Sequence, residues 1–163
     1  MAGVVEVVAR QWPMTRWLQL RPPRIAQGLV LLALMGHVVV WGFEAPFGQS
    51  TLGGAALLAA GLGWMLWAAW MFREAETAIR PTDAPLILID EGPYRFGRNP
   101  MYLGMTVALL GIGLALGAPF MAVAAVAFAA IVHRVHIPFE EAQLLSAFGG
   151  WYSDYAATVR RWL

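Results

Sequence analysis

The sequence predicts an all-α, polytopic membrane protein: about four transmembrane helices arranged as two hairpins, with short cytoplasmic helices at the C-terminus. Three observations carry this. Hydrophobic residues make up 60% of the 163 residues and charged residues 13%, with a mean hydropathy of +0.61. A soluble domain holds about a quarter charged residues. All eleven basic residues are arginines, and two long stretches, 25–72 and 99–133, contain none of them. Each stretch is too long for one crossing of a ~30 Å hydrocarbon core, which takes roughly 20 helical residues, and suits two crossings joined by a turn. Two hairpins then put every arginine on one side, which the positive-inside rule makes cytoplasmic, together with both termini. Of ten acidic residues only Glu44 would face outward.

The length fits a single domain over 1–163. With no cysteine and no lysine in the chain, disulfides, thiol nucleophiles, thiolate metal sites and Schiff-base chemistry are excluded. The net charge of +1 gives no sign of nucleic-acid binding.

Residues 1–24 combine valine, tryptophan and arginine, with Pro13, Pro22 and Pro23 limiting helix length. Glu6 interrupts the Val-rich run, which argues against a cleaved signal peptide. Trp12 and Trp17 beside Arg10 and Arg16 suit a segment lying at the membrane interface. The first span is expected at about 25–43 and contains His37, which with no carboxylate nearby reads as a packed, hydrogen-bonded neutral side chain. The second, about 51–72, offers Gly54, Ala55, Gly61 and Gly63 for close helix packing, and carries Trp64, Trp67 and Trp70 as a belt near its cytoplasmic end. From Arg73 to Arg98 runs the main polar loop, stiffened by Pro81, Pro85, Gly92 and Pro93. Asp90 to Pro93 reads as a tight turn.

Residues 101–133 hold no charge and as one helix would measure about 50 Å, so Gly117-Ala118-Pro119 is expected to divide them into spans at about 100–116 and 119–135. Gly104, Gly111, Gly113 and Gly117 of the third span would face the alanine-rich fourth. Pro138 is placed to open a new helix with Glu140 and Glu141 in its first turn, and a last short helix follows from Trp151, with Tyr152, Tyr155, Val159 and Trp162 on one side. His133 and His136 lack the further ligands that a metal site needs.

The segment that holds chemistry is Gly92 to Gly104, reading Gly-Pro-Tyr-Arg-Phe-Gly-Arg-Asn-Pro-Met-Tyr-Leu-Gly. Asn99 is a good N-cap and Pro100 a good first helical residue, so a loop with two arginines feeds directly into a membrane helix. Arg95, Arg98 and the free helix N–H groups suit a carboxylate, and the Glu140-Glu141 pair suits an amino group or ribose hydroxyls: together, a zwitterionic ligand.

These residues resemble the isoprenylcysteine carboxyl methyltransferase family, which includes small prokaryotic integral-membrane enzymes and is related to the phospholipid N-methyltransferases. The resemblance runs from Gly92-Pro93-Tyr94-Arg95 through Arg98-Asn99-Pro100-Met101-Tyr102-Leu103-Gly104 to Glu140-Glu141 and the pattern Leu144, Phe148-Gly149, Tyr152, Tyr155 and Val159-Arg160-Arg161-Trp162. It covers about 81–163, which becomes the expected cofactor-binding half. It implies S-adenosylmethionine as methyl donor, a prokaryotic inner-membrane location, and a lipophilic acceptor that enters from the bilayer and carries a carboxylate, thiol or amine. By the same resemblance, Tyr94, Arg95, Arg98, Asn99, Pro100, Tyr102, Leu103, Gly104 and Glu141 would shape the donor pocket. Arg98, Glu140 and Glu141 are the candidate catalytic residues, and Arg134 is a further contact. Many members have histidine where this chain has Asn99, and asparagine does not titrate near neutral pH, so the position fits cofactor binding better than a general base. A nicotinamide-dependent membrane reductase of related architecture and a non-catalytic membrane protein are the alternatives.

Overall fold

A computed structural model describes residues 21–46, 50–74 and 87–163. The interfacial reading of Trp12 and Trp17, and most of the loop before Leu88, lie outside the described residues. Helix α1 spans Pro22–Trp41, α2 Thr51–Glu74, α3 Pro100–Leu116, α4 Phe120–Ile131, α5 Ile137–Phe148 and α6 Gly150–Thr158, with a 3₁₀ turn at Gly92–Arg95. Among the described residues every regular element is helical.

Three helical rods are long and apolar enough to cross a bilayer: Pro22–Trp41, Thr51–Glu74 and Phe120–Phe148. Helix α3 is shorter, at 17 residues. The third rod corrects the expected end of the last span at 135. Pro138 opens no new helix; α4 and α5 are joined by a π-helical segment, Val132–His136, into one rod of 29 residues. The Ile137 N–H donates to Val132 O, five residues back. The wider turn gives the Pro138 ring room and absorbs the loss of its N–H, which a regular α-helix would not tolerate.

The remaining ends follow local rules. Pro22 and Pro23 start α1, where the missing N–H groups have no intrahelical role. Ser50 Oγ accepts the Gly53 N–H at 3.3 Å at the start of α2. Gly117 closes α3 in the left-handed conformation (φ 63°), and its N–H donates to Gly113 O.

Helix α1 packs mainly on α4, α2 mainly on α3, and α3 also on α4. The α2–α3 pair is an antiparallel seam of small residues. A β-carbon built on Gly54 would lie 2.3 Å from Ala115 N, one on Gly61 2.6 Å from Gly104 O and Ala108 N, and one on Gly111 2.4 Å from Leu58 N. Both glycine pairs, 54/61 and 104/111, repeat every seven residues and so share a helix face. This differs from the expected partnership of the α3 glycines with the alanine-rich span. Gly104 and Gly111 face α2, and Gly113 meets α4, at Met121 Cβ. In a lipid environment close backbone approach of this kind supplies the dispersion attraction that holds helices together.

On the other side of α3 the core is built around Met121, Phe128, Val132 and Ile137, all fully buried, with the Tyr102 ring edge-on to Phe128 at 6.4 Å. His37 is packed as expected, buried against Trp41 at 5.6 Å, although its Nδ1 has no hydrogen-bond partner.

Gly61→Val therefore forces α2 and α3 apart and is expected to lower stability by about 2 kcal/mol or more. Gly63→Val, at a position with nothing within 4 Å, is expected to change it by less than about 0.5 kcal/mol. Unfolding of the two purified variants in the same detergent compares them directly.

Candidate functional site

The turn that begins at Gly92 is set by the backbone: Gly92 has φ 56° and the Tyr94 N–H donates to Glu91 O at 3.0 Å. Pro93 and Tyr94 are buried, with the Tyr94 ring edge-on to Phe72 of α2 at 5.6 Å. The Tyr155 hydroxyl of α6 donates to Tyr94 O at 2.8 Å, tying the last helix to this turn.

From here the chain runs alongside its own C-terminus. Arg98 N–H donates to Arg160 O at 2.9 Å, and the Asn99 side-chain amide donates to Arg161 O, also at 2.9 Å. Asn99 stands at the N-cap position the sequence predicted, and its backbone C=O accepts the Leu103 N–H at 3.2 Å, but its side chain makes no cap bond to α3. The buried side chain is turned instead toward the tail, where its amide reaches the Arg161 carbonyl. Gly97 permits the approach. A β-carbon there would stand 1.8 Å from Trp162 O.

The charges gather at Glu141. Its Oε1 accepts from Arg98 Nη2 at 2.9 Å and from Arg161 Nε at 3.0 Å, and its Oε2 from Arg161 Nη2 at 2.6 Å. The Arg161 contact is bidentate, the strongest geometry available to a guanidinium and a carboxylate. Arg98 also donates through Nη1 to Ala156 O at 2.7 Å and Val159 O at 2.6 Å. It therefore caps the C-terminal carbonyls of α6 with a positive charge, where the helix dipole favours one. Its Nε is buried with no partner. Beside this cluster Glu140 accepts a hydrogen bond from the Tyr102 hydroxyl of α3. Trp162 stacks on His133 at 6.2 Å and donates its indole N–H to His133 Nδ1 at 3.1 Å. Burial pushes the Tyr152 hydroxyl of α6 up to about 12, with Glu141 adding to the effect, and raises Tyr94 and Tyr155 above the usual phenol range. These phenols stay neutral at any physiological pH, which keeps the Tyr155 hydroxyl a donor to Tyr94 O.

Of the residues singled out from the sequence, Arg98, Asn99, Tyr102, Glu140 and Glu141 converge on the junction of α3, α5 and the tail, with Pro100 buried at the first position of α3. Tyr94 stands one turn away, holding α6. Arg95 is exposed, Leu103 is half-buried, and Gly104 lies in the α2–α3 seam. The sequence reading assigned no role to Gly97, His133 or Arg161 in this cluster. The Arg160-Arg161 doublet facing a glutamate pair was the available signal; Gly97 gave none, since its constraint comes from residues more than sixty positions away.

The arrangement is that of a helical membrane protein with a polar, ion-paired cluster beside its spans. The phospholipid methyltransferase family model matches residues 49–150, more than half of the chain. The chain belongs to that family. It is also 40% identical over 75 residues to protein-S-isoprenylcysteine O-methyltransferase A of Arabidopsis thaliana and 37% identical over the same length to the B protein. Each match covers 44% of this chain and 36% of the relative, so the similarity spans about a third of the length of those proteins. No solved structure matches. Arg98, Asn99, Tyr102, Glu140 and Glu141 fall inside the family match, whereas Arg161 and Trp162 lie beyond it.

Two substitutions test this geometry. Glu141→Ala leaves Arg98, whose side chain is 14% exposed, without its counter-charge and is expected to cost about 2 kcal/mol in an unfolding titration. Gly97→Ala should lift the tail: hydrogen exchange should speed up at residues 160–163 and stay unchanged in the α2–α3 seam.

Proposed function

We propose that the chain is an S-adenosylmethionine-dependent methyltransferase that acts on a lipophilic small molecule or lipid at the cytoplasmic face of the membrane. Family membership supports the reaction class, and the Arg98–Glu141 ion pair carries the site assignment, because it joins the Gly92–Gly104 stretch to the glutamate pair. The orphaned, buried Nε of Arg98 is a donor that suits an anionic group of a ligand, such as the carboxylate of the methyl donor. Tyr94, Arg98, Asn99, Pro100, Tyr102 and Glu141 would surround that donor, which supplies an electrophilic methyl group on a sulfonium. Arg95 and Leu103 would line the outer limit of the same pocket, and Gly104, packed in the α2–α3 seam, would only set the position of α3 behind it.

The role of the protein in such a reaction is to orient and to exclude water, since in-line displacement at a methyl group needs no covalent enzyme intermediate. An acceptor carboxylate or thiolate would be held by an arginine of the cluster. An amine would be drawn to Glu140 or Glu141, either of which could take its proton. The orientation proposed keeps all arginines and both termini cytoplasmic, with four crossings. Helix α3 would span about 25 Å, slightly less than a typical hydrocarbon core, and would be met by local thinning of the bilayer.

Saturable binding of S-adenosylmethionine to the purified protein is expected. Arg98→Ala and Glu141→Ala should each weaken it by about tenfold or more in protein that keeps its helical signal. Transfer of a labelled methyl group into a membrane lipid extract, followed by identification of the product, then names the acceptor. Stabilisation by a reduced nicotinamide dinucleotide alone would reverse this reading in favour of a reductase, and binding of neither cofactor would favour a non-catalytic protein.

A further inference from the structure

Glu140 and Glu141 are neighbours on one helix, yet their carboxylates stand in opposite situations. Both oxygens of Glu141 are taken by guanidinium groups, at 2.9 and 3.0 Å on Oε1 and at 2.6 Å on Oε2. Among the described residues the ion pairs of this cluster are Arg98–Glu141 and Arg161–Glu141, and Glu140 takes part in neither. Its Oε1 accepts one hydrogen bond, from the Tyr102 hydroxyl, and its Oε2 accepts none from a described residue. A carboxylate locked between two cations is a poor proton acceptor, because its charge is already compensated. One that faces a neutral hydroxyl keeps that capacity.

Tyr102 is held still. Its ring, on α3, stands edge-on to the fully buried Phe128 at 6.4 Å, and the residue is only 8% exposed. The hydroxyl therefore has a fixed place, and its bond sets the direction of the Glu140 carboxylate with Oε2 as the open corner. One position further along the rod, Glu141 holds Arg98, whose buried Nε has no partner. A free base and a free donor thus meet at one turn of the rod.

We propose that Glu140 is the catalytic base of methyl transfer and Tyr102 its positioning residue, while Glu141 is an anchor that takes no proton. This rests on the methyl-transfer reading and deepens it, because it selects an acceptor with a proton on its nucleophilic atom, an amine or a thiol, over a carboxylate. Oε2 of Glu140 removes that proton. The freed lone pair of nitrogen or sulfur forms the bond to the methyl carbon as the carbon–sulfur bond of the donor breaks, and that electron pair stays on the donor sulfur as a neutral thioether. The proton leaves Glu140 by exchange with water. A carboxylate acceptor has no proton to lose near neutral pH and would meet a like charge at Glu140.

The test uses the full chain in detergent, labelled S-adenosylmethionine and a membrane lipid extract as acceptor probe, with donor binding measured separately. Glu140→Gln keeps the side-chain shape and removes its basicity: transfer should fall about 100-fold, the usual worth of a general base, while donor binding changes less than about threefold. Tyr102→Phe keeps the ring against Phe128 and should lower transfer about tenfold, again with donor binding kept. Raising the pH from about 7 to about 9 should shrink the Glu140→Gln deficit, because a growing share of the acceptor loses its proton to water before it binds. The groups that face Glu140 are Tyr102 of α3, Tyr94 of the Gly92 turn and Glu141 beside it. Tyr94 stays neutral and Glu141 stays paired over this range, so the change reports on the acceptor. The label in the product should resist alkaline hydrolysis, which frees methanol from a methyl ester and leaves N-methyl and S-methyl groups intact. A deficit of equal size at every pH would mark a structural role and overturn the proposal. So would label released as methanol, or full transfer by Glu140→Gln. Neither donor binding nor transfer by the unsubstituted protein would instead overturn the methyl-transfer reading, and this proposal with it.

Discussion

Two guanidinium groups meet the single carboxylate of Glu141, and the polar end of the molecule depends on that meeting. Arg98 comes from the loop before α3, Glu141 from the rod that contains α4 and α5, and Arg161 from the tail. A half-buried carboxylate needs opposing charge and filled lone pairs to be tolerated, and here three donor contacts meet that need. The same arginine holds the end of α6, so the last helix is located by the ion pair and by Tyr155, with little apolar packing of its own. Loop, rod and tail are thereby one unit.

The π-helical segment makes that unit possible. A regular helix continued through Pro138 would meet a steric clash and a lost hydrogen bond; the wider turn removes both and leaves the rod unbroken. Each residue of offset turns the following helix by about 100°, so a bulge placed at 132–136 also decides which way residues 140 and 141 project. Adjacent glutamates on a helix cannot share one partner, and they do not: Glu140 goes to Tyr102 of α3 and Glu141 to the arginines.

The apolar helices were legible in the sequence because hydropathy and proline and glycine punctuation are local signals. The bounds of α2 and α3 follow from Ser50-Thr51, Pro100 and Gly117. The rod past 135 was not legible, since a proline followed by two glutamates is also the signature of a helix start, and only tertiary packing decides between a start and a bulge. The position of Asn99 at the N-cap was legible, but not the direction of its side chain, which turns to a carbonyl more than sixty residues away. The charged site was half legible: Arg98 and the glutamate pair stand out as polar residues beside apolar runs, but Arg161 gains its meaning only when the tail folds back, and Gly97 only when Trp162 arrives.

The pairing of helices also sets an order of assembly. Helices α2 and α3 lie close in sequence and can dock through their glycine seam soon after both have been made. Helix α1 cannot, because its main partner α4 is completed roughly ninety residues later. During synthesis the face of α1 that carries Ala26, Ala33 and Leu34 must be solvated by lipid alone until α4 arrives, a late, non-local closure of the kind that limits folding rates. Of the described helices, the earliest made is among the last to find its place.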